Sequence, residues 1–191
     1  MENQLLGTYV ELHFHLTHQS GMTGWRVAAI RTPAGPQLNW HAATDPDHVP
    51  LSRFHKISEP GSAWHYLVYV VDAQGDAWLY LNGQRLGETR RDGDDPAVGN
   101  LCLGTPLFTG PGRQSYAEIR AFRLSSTARF DPRQHARCPV PDSCDFHRDE
   151  QTAILLDFSQ PQGNRIRDLT GNGHDGEIVG AEWVTLETEQ K

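Results

Sequence analysis

Four oxygen-bearing side chains stand in a glycine-rich run near the end of the chain: Asp168, Thr170, Asn172 and Asp175. Carboxylate, amide, hydroxyl and carbonyl oxygens are the ligands that Ca²⁺ takes in proteins, and a loop of this kind can wrap the ion. The alternative is that Asp168 and Asn172 bond their own backbone and hold a left-handed turn, the usual role of such residues between glycines. The run therefore predicts either a calcium site or a self-bonded loop.

Aromatic side chains beside polar ones form a second candidate site. A pyranose presents C–H patches that stack on aromatic rings and hydroxyl groups that need hydrogen-bond partners. Trp78 and Tyr80 are separated by one leucine, so both rings lie on one face of a strand, and we expect them to project away from the core. The alternative for each tryptophan is core packing or the covering of a sheet by a loop. Further candidates for sugar binding are Trp25, Trp40 and His41.

The remaining titratable residues give no catalytic pattern. Glycoside hydrolysis requires two carboxylates flanking the scissile bond, yet neither Glu118 nor Glu182 has a second carboxylate two residues further on. The ten histidines include no His-Glu-x-x-His pair, and no spacing of cysteine and histidine suits zinc. His13 and His15 share one strand face and offer two ligands at most. We therefore predict that the protein is not an enzyme, with a glycoside hydrolase as the least favoured alternative.

Length and charge narrow the class of protein. A chain of 191 residues and 21.4 kDa is long enough for one domain, residues 1–191, with a core of its own. The net charge of -7, with arginines scattered among acidic residues, argues against a nucleic-acid partner. The mean hydropathy is -0.57, and no apolar run approaches the roughly 18 residues of a membrane span, so we expect no membrane insertion. The first residues also lack the basic and apolar regions of a secretory signal.

The three cysteines allow one disulfide. Cys138 and Cys144 are the plausible pair, and closing their short loop would contribute roughly 2.4 kcal/mol in the chain-entropy model. The alternative is two surface thiols. Cys102 lies in an apolar run and is interpreted as a small buried hydrophobic residue.

Alternation of apolar and polar residues with a period of two predicts strands throughout the chain. Residues 64–71 are apolar on both faces, as expected of a central strand, and Asn82-Gly83 is the strongest short hairpin signal. Ten or eleven strands at short spacing predict an antiparallel two-sheet β-sandwich or jelly roll. Further predicted strands include residues 9–16, 25–31, 77–81, 84–89, a short stretch at 101, 116–124, 153–158 and 178–186. We further predict an irregular crossing segment over 125–150 and a turn-rich loop over 163–176, so that residues 153–186 supply the C-terminal edge strands.

Several of these blocks resemble a known family. Trp64-His-Tyr-Leu-Val followed by Leu79-Tyr-Leu-Asn-Gly83 is similar to the "W-H-h-h-h … L-Y-h-N-G" core of laminin-G-like domains in the concanavalin A-like lectin/glucanase superfamily. Asp168-Leu-Thr-Gly-Asn-Gly and Val179-Gly-Ala-Glu-Trp183 resemble its "D-x-S-G-N-G … V-x-G-A-x-W" edge segment. In most such domains that segment opens the domain, whereas here it closes it. The chain thus resembles a circular permutant or a cut from a tandem array.

The resemblance implies a concanavalin A-like jelly roll whose relatives are mostly carbohydrate-binding or adhesion modules. It implies a polysaccharide or glycan, or another protein, as the partner, and an extracellular or cell-surface setting within a larger chain. The hydrolase branch carries a Glu-x-Asp-x-x-Glu motif that is absent here. The alternative from a different class is a structural or protein–protein interaction domain with no small ligand.

Overall fold

The computed structural model describes residues 6–16, 28–32, 35–40, 53–56, 64–72, 76–90, 103, 117–143 and 145–184. Within these ranges every regular element is a strand and none is a helix, as an all-β chain requires. No helix there is long and apolar enough to cross a membrane. In chain order the strands are β1 (Leu6–Leu16), β2 (Ala28–Thr32), β3 (Gly35–Trp40), β4 (Arg53–Lys56), β5 (His65–Asp72), β6 (Asp76–Leu81), β7 (Gln84–Arg90), β8 (Ala117–Thr127), β9 (Thr152–Asp157), β10 (Arg165–Ile166) and β11 (Gly176–Glu177).

Six of these strands form one antiparallel sheet in the order β7-β6-β5-β1-β8-β9. The first strand of the chain lies in its middle, where Leu12 pairs with Leu67 of β5 on one side and Phe122 of β8 on the other. The centre of this sheet is therefore built by pairing between distant parts of the sequence. The strands β2-β3-β4 form a second sheet, and β10 and β11 pair as a short ribbon.

Alternation of side chains gives the six-stranded sheet two faces. The face that carries Tyr80, called the Tyr80 face below, holds the buried residues Tyr66, Val68, Val70, Trp78, Tyr80, Ala121 and Leu155. The opposite face carries Phe122 and Leu156, against which Ile166 and Trp183 pack. Strands β5 and β6 are buried on both faces of the sheet, which explains why their sequences are nearly continuous apolar runs.

The hairpin predicted at Asn82-Gly83 is confirmed. Asn82 has φ 49° and Gly83 has φ 81°, the left-handed pair that a two-residue hairpin turn requires. Gly83 is also closely approached, because a Cβ built on it would lie 2.7 Å from Val140 Cγ2 and 3.2 Å from the Cys138 carbonyl oxygen. Both the backbone conformation and the space at this turn therefore require glycine.

Replacing Gly83 with alanine is expected to lower the free energy of unfolding by about 2 kcal/mol, since left-handed strain of roughly 1 kcal/mol adds to the clash with Val140. Gly171→Ala is the matched control, because Gly171 has the same φ of 81° but nothing within 4 Å of its built Cβ. Urea unfolding of the two variants separates the cost of the left-handed backbone, which both share, from the cost of the clash with Val140, which only Gly83→Ala has. Equal losses would contradict the close packing at the hairpin.

Three sequence boundaries need correction. Strand β8 extends to Thr127, three residues beyond the predicted end at Leu124. The loop predicted over 163–176 contains β10 and the start of β11. The strand predicted over 178–186 is not formed in its described part, 178–184. There Gly180 has φ 68°, which an extended strand does not accommodate, and the backbone N–H of Ile178 donates to the Asn164 carbonyl oxygen at 2.8 Å.

Loops contact both edge strands of the six-stranded sheet. At β7, the Arg85 N–H donates to the Ala136 carbonyl oxygen at 3.2 Å. At β9, the Leu169 N–H donates to the Leu155 carbonyl oxygen at 2.8 Å, and the Leu155 N–H donates to Asp168 Oδ1 at 3.1 Å. Such contacts satisfy backbone groups that would otherwise offer a template for another strand.

Candidate functional site: the covered aromatic face and the Asp168 loop

An irregular segment, residues 128–149, crosses the Tyr80 face and is called the covering segment below. It contributes four apolar side chains to the packing on that face: Ala128, Phe130, Cys138 and Phe146. Phe130 meets the Tyr80 ring edge-on, with centroids 5.3 Å apart and planes at 81°, a favourable aromatic geometry. The predicted crossing segment is thus part of the core of this sheet.

The two central sugar-binding candidates lie beneath this segment. Trp78 and Tyr80 share one strand face, as predicted, but Trp78 is 4% exposed and Tyr80 is 0% exposed. The expectation that they project away from the core fails because the covering segment packs on that face. Core packing, the alternative stated for Trp78, describes both rings, and neither offers an exposed face for a sugar to stack on.

Polar contacts hold both rings in place. The indole N–H of Trp78 donates to Glu88 Oε2 at 3.2 Å, and the Arg133 guanidinium lies over the indole ring at 5.3 Å. The Tyr80 hydroxyl donates to the His135 carbonyl oxygen at 3.0 Å. Burial raises the pKa of Tyr80 to about 12, so the hydroxyl keeps its proton at neutral pH.

Trp40 is the one other sugar-binding candidate among the described residues. Trp40 ends β3 and pairs with Arg53 of β4. Trp25 and His41 lie outside the described residues, as do Cys102 and Cys144. Cys138 is buried in the Tyr80-face cluster. Its pairing with Cys144 and the sugar-binding roles of Trp25, Trp40 and His41 stay predictions.

Three arginines fix the covering segment to the sheet. Arg120 of β8 pairs with Asp157 of β9 and with Asp145 of the segment, the latter at 2.6 Å. Arg133 of the segment reaches Asp72 and Asp76, each at 2.5 Å. Arg129 of the segment donates to Ser125 Oγ of β8 at 3.0 Å and to Thr152 Oγ1 of β9 at 3.2 Å, and within the segment it binds both carboxylate oxygens of Asp149, at 2.5 and 3.0 Å. These contacts hold the segment against β8, β9 and the β5–β6 turn.

The same contacts set the charge of the carboxylates. The hydrogen bonds from Arg129 hold the pKa of Asp149 far below its usual range. Burial raises the pKa of Asp157, but hydrogen bonds from Ser159 and the charge of Arg120 outweigh it and leave the pKa lowered. A general acid for glycoside hydrolysis needs the opposite, a raised pKa. Asp149 and Asp157 therefore stabilise the fold and lack this property.

Arg120→Gln is expected to lower the free energy of unfolding by about 1 to 2 kcal/mol, because it removes charge-assisted bonds to Asp145 and Asp157 that are partly shielded from water. Arg85→Gln is the matched control. The Arg85–Glu88 pair is 3.6 Å long and its side chains are 32% and 68% exposed, so water screens it and its loss is expected below about 1 kcal/mol. Urea unfolding compares the two, and the reverse ranking would contradict this account.

The four residues proposed as calcium ligands are brought together at β9. Asp168 is 2% exposed, and its carboxylate accepts from the backbone N–H groups of Leu155, Thr170 and His174 at 3.0 to 3.2 Å and from the Thr170 hydroxyl. Asn172 Nδ2 donates to the Ala153 carbonyl oxygen at 2.9 Å. Asp175 Oδ1 accepts from the Asp168 N–H at 2.9 Å. Asp168 therefore bonds the backbone of its own loop, as the alternative stated, whereas the Asn172 side chain bonds β9.

Calcium would have to compete with these bonds. Ca²⁺ takes roughly six to eight oxygen ligands. Both carboxylate oxygens of Asp168 already accept hydrogen bonds from N–H and O–H donors, which the ion would have to displace. Among the described residues no three His, Cys, Asp or Glu side chains are grouped as a metal site would need. Calcium at this loop stays a proposal.

A further polar pair was not predicted from the sequence. Asn82 Oδ1 accepts from the Tyr66 N–H at 2.9 Å, which turns its Nδ2 toward His65 Nδ1 at 3.1 Å. Because an amide nitrogen only donates, this assignment makes Nδ1 the acceptor and places the ring proton on Nε2. The signal was available in the sequence, since His65 and Asn82 stand in the "W-H" and "N-G" blocks that carry the resemblance.

Comparison of the chain with protein families, with curated proteins and with solved structures finds no match. The likeness to laminin-G-like domains therefore rests on the sequence blocks themselves.

Proposed function

We propose that this chain is a non-catalytic carbohydrate-binding or adhesion module of a larger, surface-associated protein, built as a two-sheet jelly roll of the laminin-G-like kind. The proposal rests on one observation: residues in the blocks that resemble the family also make hydrogen bonds that stabilise the structure. His65 and Asn82 bond each other beside the hairpin, and Asp168 binds its loop to β9. Residues that match a family pattern and also stabilise the structure support kinship with that family, whose members are mostly binding modules.

The carboxylates near the covering segment support a non-catalytic role. Asp145 and Asp157 share Arg120, and Asp149 is bound by both ends of the Arg129 guanidinium. The lowered pKa values of Asp149 and Asp157 keep these two as anions that stabilise the fold. Because the Tyr80 face is covered, Trp25, Trp40 and His41 are the remaining candidates for stacking on a sugar and for hydrogen bonding to it.

The second candidate is a protein–protein interaction domain with no small ligand. The observation that favours it is the burial of Trp78 and Tyr80, the aromatic pair best placed for a sugar platform. A sheet whose aromatic face is filled by its own chain presents loops and polar surface to a partner protein.

Thermal unfolding against a panel of soluble polysaccharides tests the two candidates, each run with calcium or with EDTA. A ligand at 100 times its Kd adds roughly 2.7 kcal/mol of stability, which raises the midpoint by several degrees. A shift that is lost in Trp40→Ala but kept in Val179→Ala, a control at a side chain 79% exposed, would support sugar binding. A fall in the unfolding midpoint with EDTA that added calcium reverses would support a calcium site at the Asp168 loop. No shift with any polysaccharide would leave the interaction domain as the better account.

A further inference from the structure

The chain contains two Asn-Gly dipeptides, Asn82-Gly83 and Asn172-Gly173, whose chemistry is the same but whose surroundings differ. In this dipeptide the glycine backbone nitrogen attacks Cγ of the asparagine side chain. The new C–N bond closes a five-membered imide and ammonia leaves. Water then opens either imide carbonyl and gives aspartate or isoaspartate, so the net change is amide plus water to acid plus ammonia. Glycine favours the reaction because it has no Cβ to hinder the attack.

At Asn82 the fold opposes this approach. Both amide atoms of the side chain are bonded, Oδ1 to the Tyr66 N–H at 2.9 Å and Nδ2 to His65 Nδ1 at 3.1 Å. The nucleophile belongs to Gly83, which is buried between the Cys138 carbonyl oxygen and Val140. The Gly83 carbonyl oxygen is also held, since it accepts from the Cys138 N–H at 2.9 Å. Ring closure here requires the hairpin to open.

At Asn172 the surroundings are open. Gly173 is exposed, and nothing lies within 4 Å of a Cβ built on it. The asparagine side chain makes one direct bond to the sheet, from Nδ2 to the Ala153 carbonyl oxygen at 2.9 Å. Breaking that bond frees Cγ without disturbing packed neighbours.

We infer that Asn172 is a site of spontaneous deamidation in the folded protein and that the same dipeptide at Asn82 is held unreactive by its hairpin. The modification has a structural consequence. A carboxylate at position 172 cannot donate to the Ala153 carbonyl oxygen, and it faces that oxygen with like charge. Deamidation therefore loosens the Asp168 loop from β9.

The test follows both dipeptides by peptide mapping of the 191-residue chain after incubation at mildly alkaline pH, once folded and once in urea. In the folded protein we expect Asn82 to react at least about tenfold more slowly than Asn172, because a local opening free energy of about 1.4 kcal/mol already gives that factor. In urea the two rates should converge, which controls for the neighbouring sequence.

Equal rates in the folded protein, or faster reaction at Asn82, would overturn the inference. So would an Asn172 that reacts in urea but not in the folded state. The Asn172→Asp variant carries the aspartate product of deamidation from the start and so tests its effect on stability. It is expected to destabilise the protein relative to Asn172→Ser, which keeps a neutral donor, and an Asp variant as stable as the Ser variant would remove the proposed loosening of the loop.

Discussion

Replacing Tyr80 with alanine is expected to lower the free energy of unfolding by about 3 to 5 kcal/mol, the range for truncating a large aromatic core residue. The Tyr80 side chain is 0% exposed and packs between the sheet and Phe130 of the covering segment. Its removal leaves a cavity where the segment meets the sheet, and the His135 carbonyl oxygen loses its donor. Since a domain of this size is stable by only about 5 to 15 kcal/mol, the variant is expected to fold marginally.

Tyr80→Phe separates the ring from the hydroxyl. It keeps the packing and removes one hydrogen bond to His135, so a loss of about 1 kcal/mol is expected. Urea unfolding followed by tryptophan fluorescence measures both variants. A Tyr80→Ala variant within about 1 kcal/mol of the parent would mean that the covering segment is not packed on the ring.

The same burial changes how ligand binding must be probed. Trp78→Ala truncates a side chain that is 4% exposed and covered by Arg133, so any loss of binding would follow from loss of structure. Binding is better tested at Trp25 or Trp40. The alternation that places Trp78 and Tyr80 on one face does not reveal what packs on that face. A period of two shows which side of the sheet a side chain lies on, but not whether that side is buried.

Local patterns predicted the strands of the six-stranded sheet well, whereas β3 and β4 have no counterpart among the predicted strands. The run 64–71 became β5 with a shift of one residue, and Asn82-Gly83 formed the predicted turn because only a few residues adopt two successive left-handed conformations. The period of two also located β1, β6, β7 and β9 to within a few residues.

The covering segment was recognised as irregular but not as part of the core. Its apolar members Phe130, Cys138 and Phe146 follow no period, so nothing in their spacing shows that they share one surface. The ion pairs of Arg120 were equally hidden, since they join residues from β8, β9 and the segment that only the tertiary fold brings together. The Asp168 loop lay between these cases. The sequence identified its residues but left open whether they bind calcium or bond the backbone. The choice depends on the position of β9, which the sequence does not reveal.

Asp168→Ala is expected to cost about 3 to 5 kcal/mol, because three backbone N–H groups at a buried site lose their acceptor at once, and each orphaned donor costs roughly 1 to 3 kcal/mol before water relaxes the loop. The carboxylate is 2% exposed and accepts from Leu155, Thr170 and His174. Asp175→Asn is the control, since this exposed residue accepts one bond, from the Asp168 N–H, and an amide oxygen can still accept it. Its loss is expected below about 1 kcal/mol.

The pH dependence of stability distinguishes the charge of Asp168 from its shape. Burial raises the pKa of Asp168, but hydrogen bonds from Thr170 and from the backbone of Leu155 and His174 outweigh it and hold the pKa below its ordinary value of 3.8. A group whose pKa is lowered by folding contributes stability above its unfolded pKa and loses it as the pH falls through the folded pKa. The parent should therefore lose stability below about pH 4, and Asp168→Asn, which has no charge to lose, should lose less over the same interval. Parallel curves for the two proteins in urea unfolding would contradict a charged Asp168 as the acceptor that holds this loop to β9.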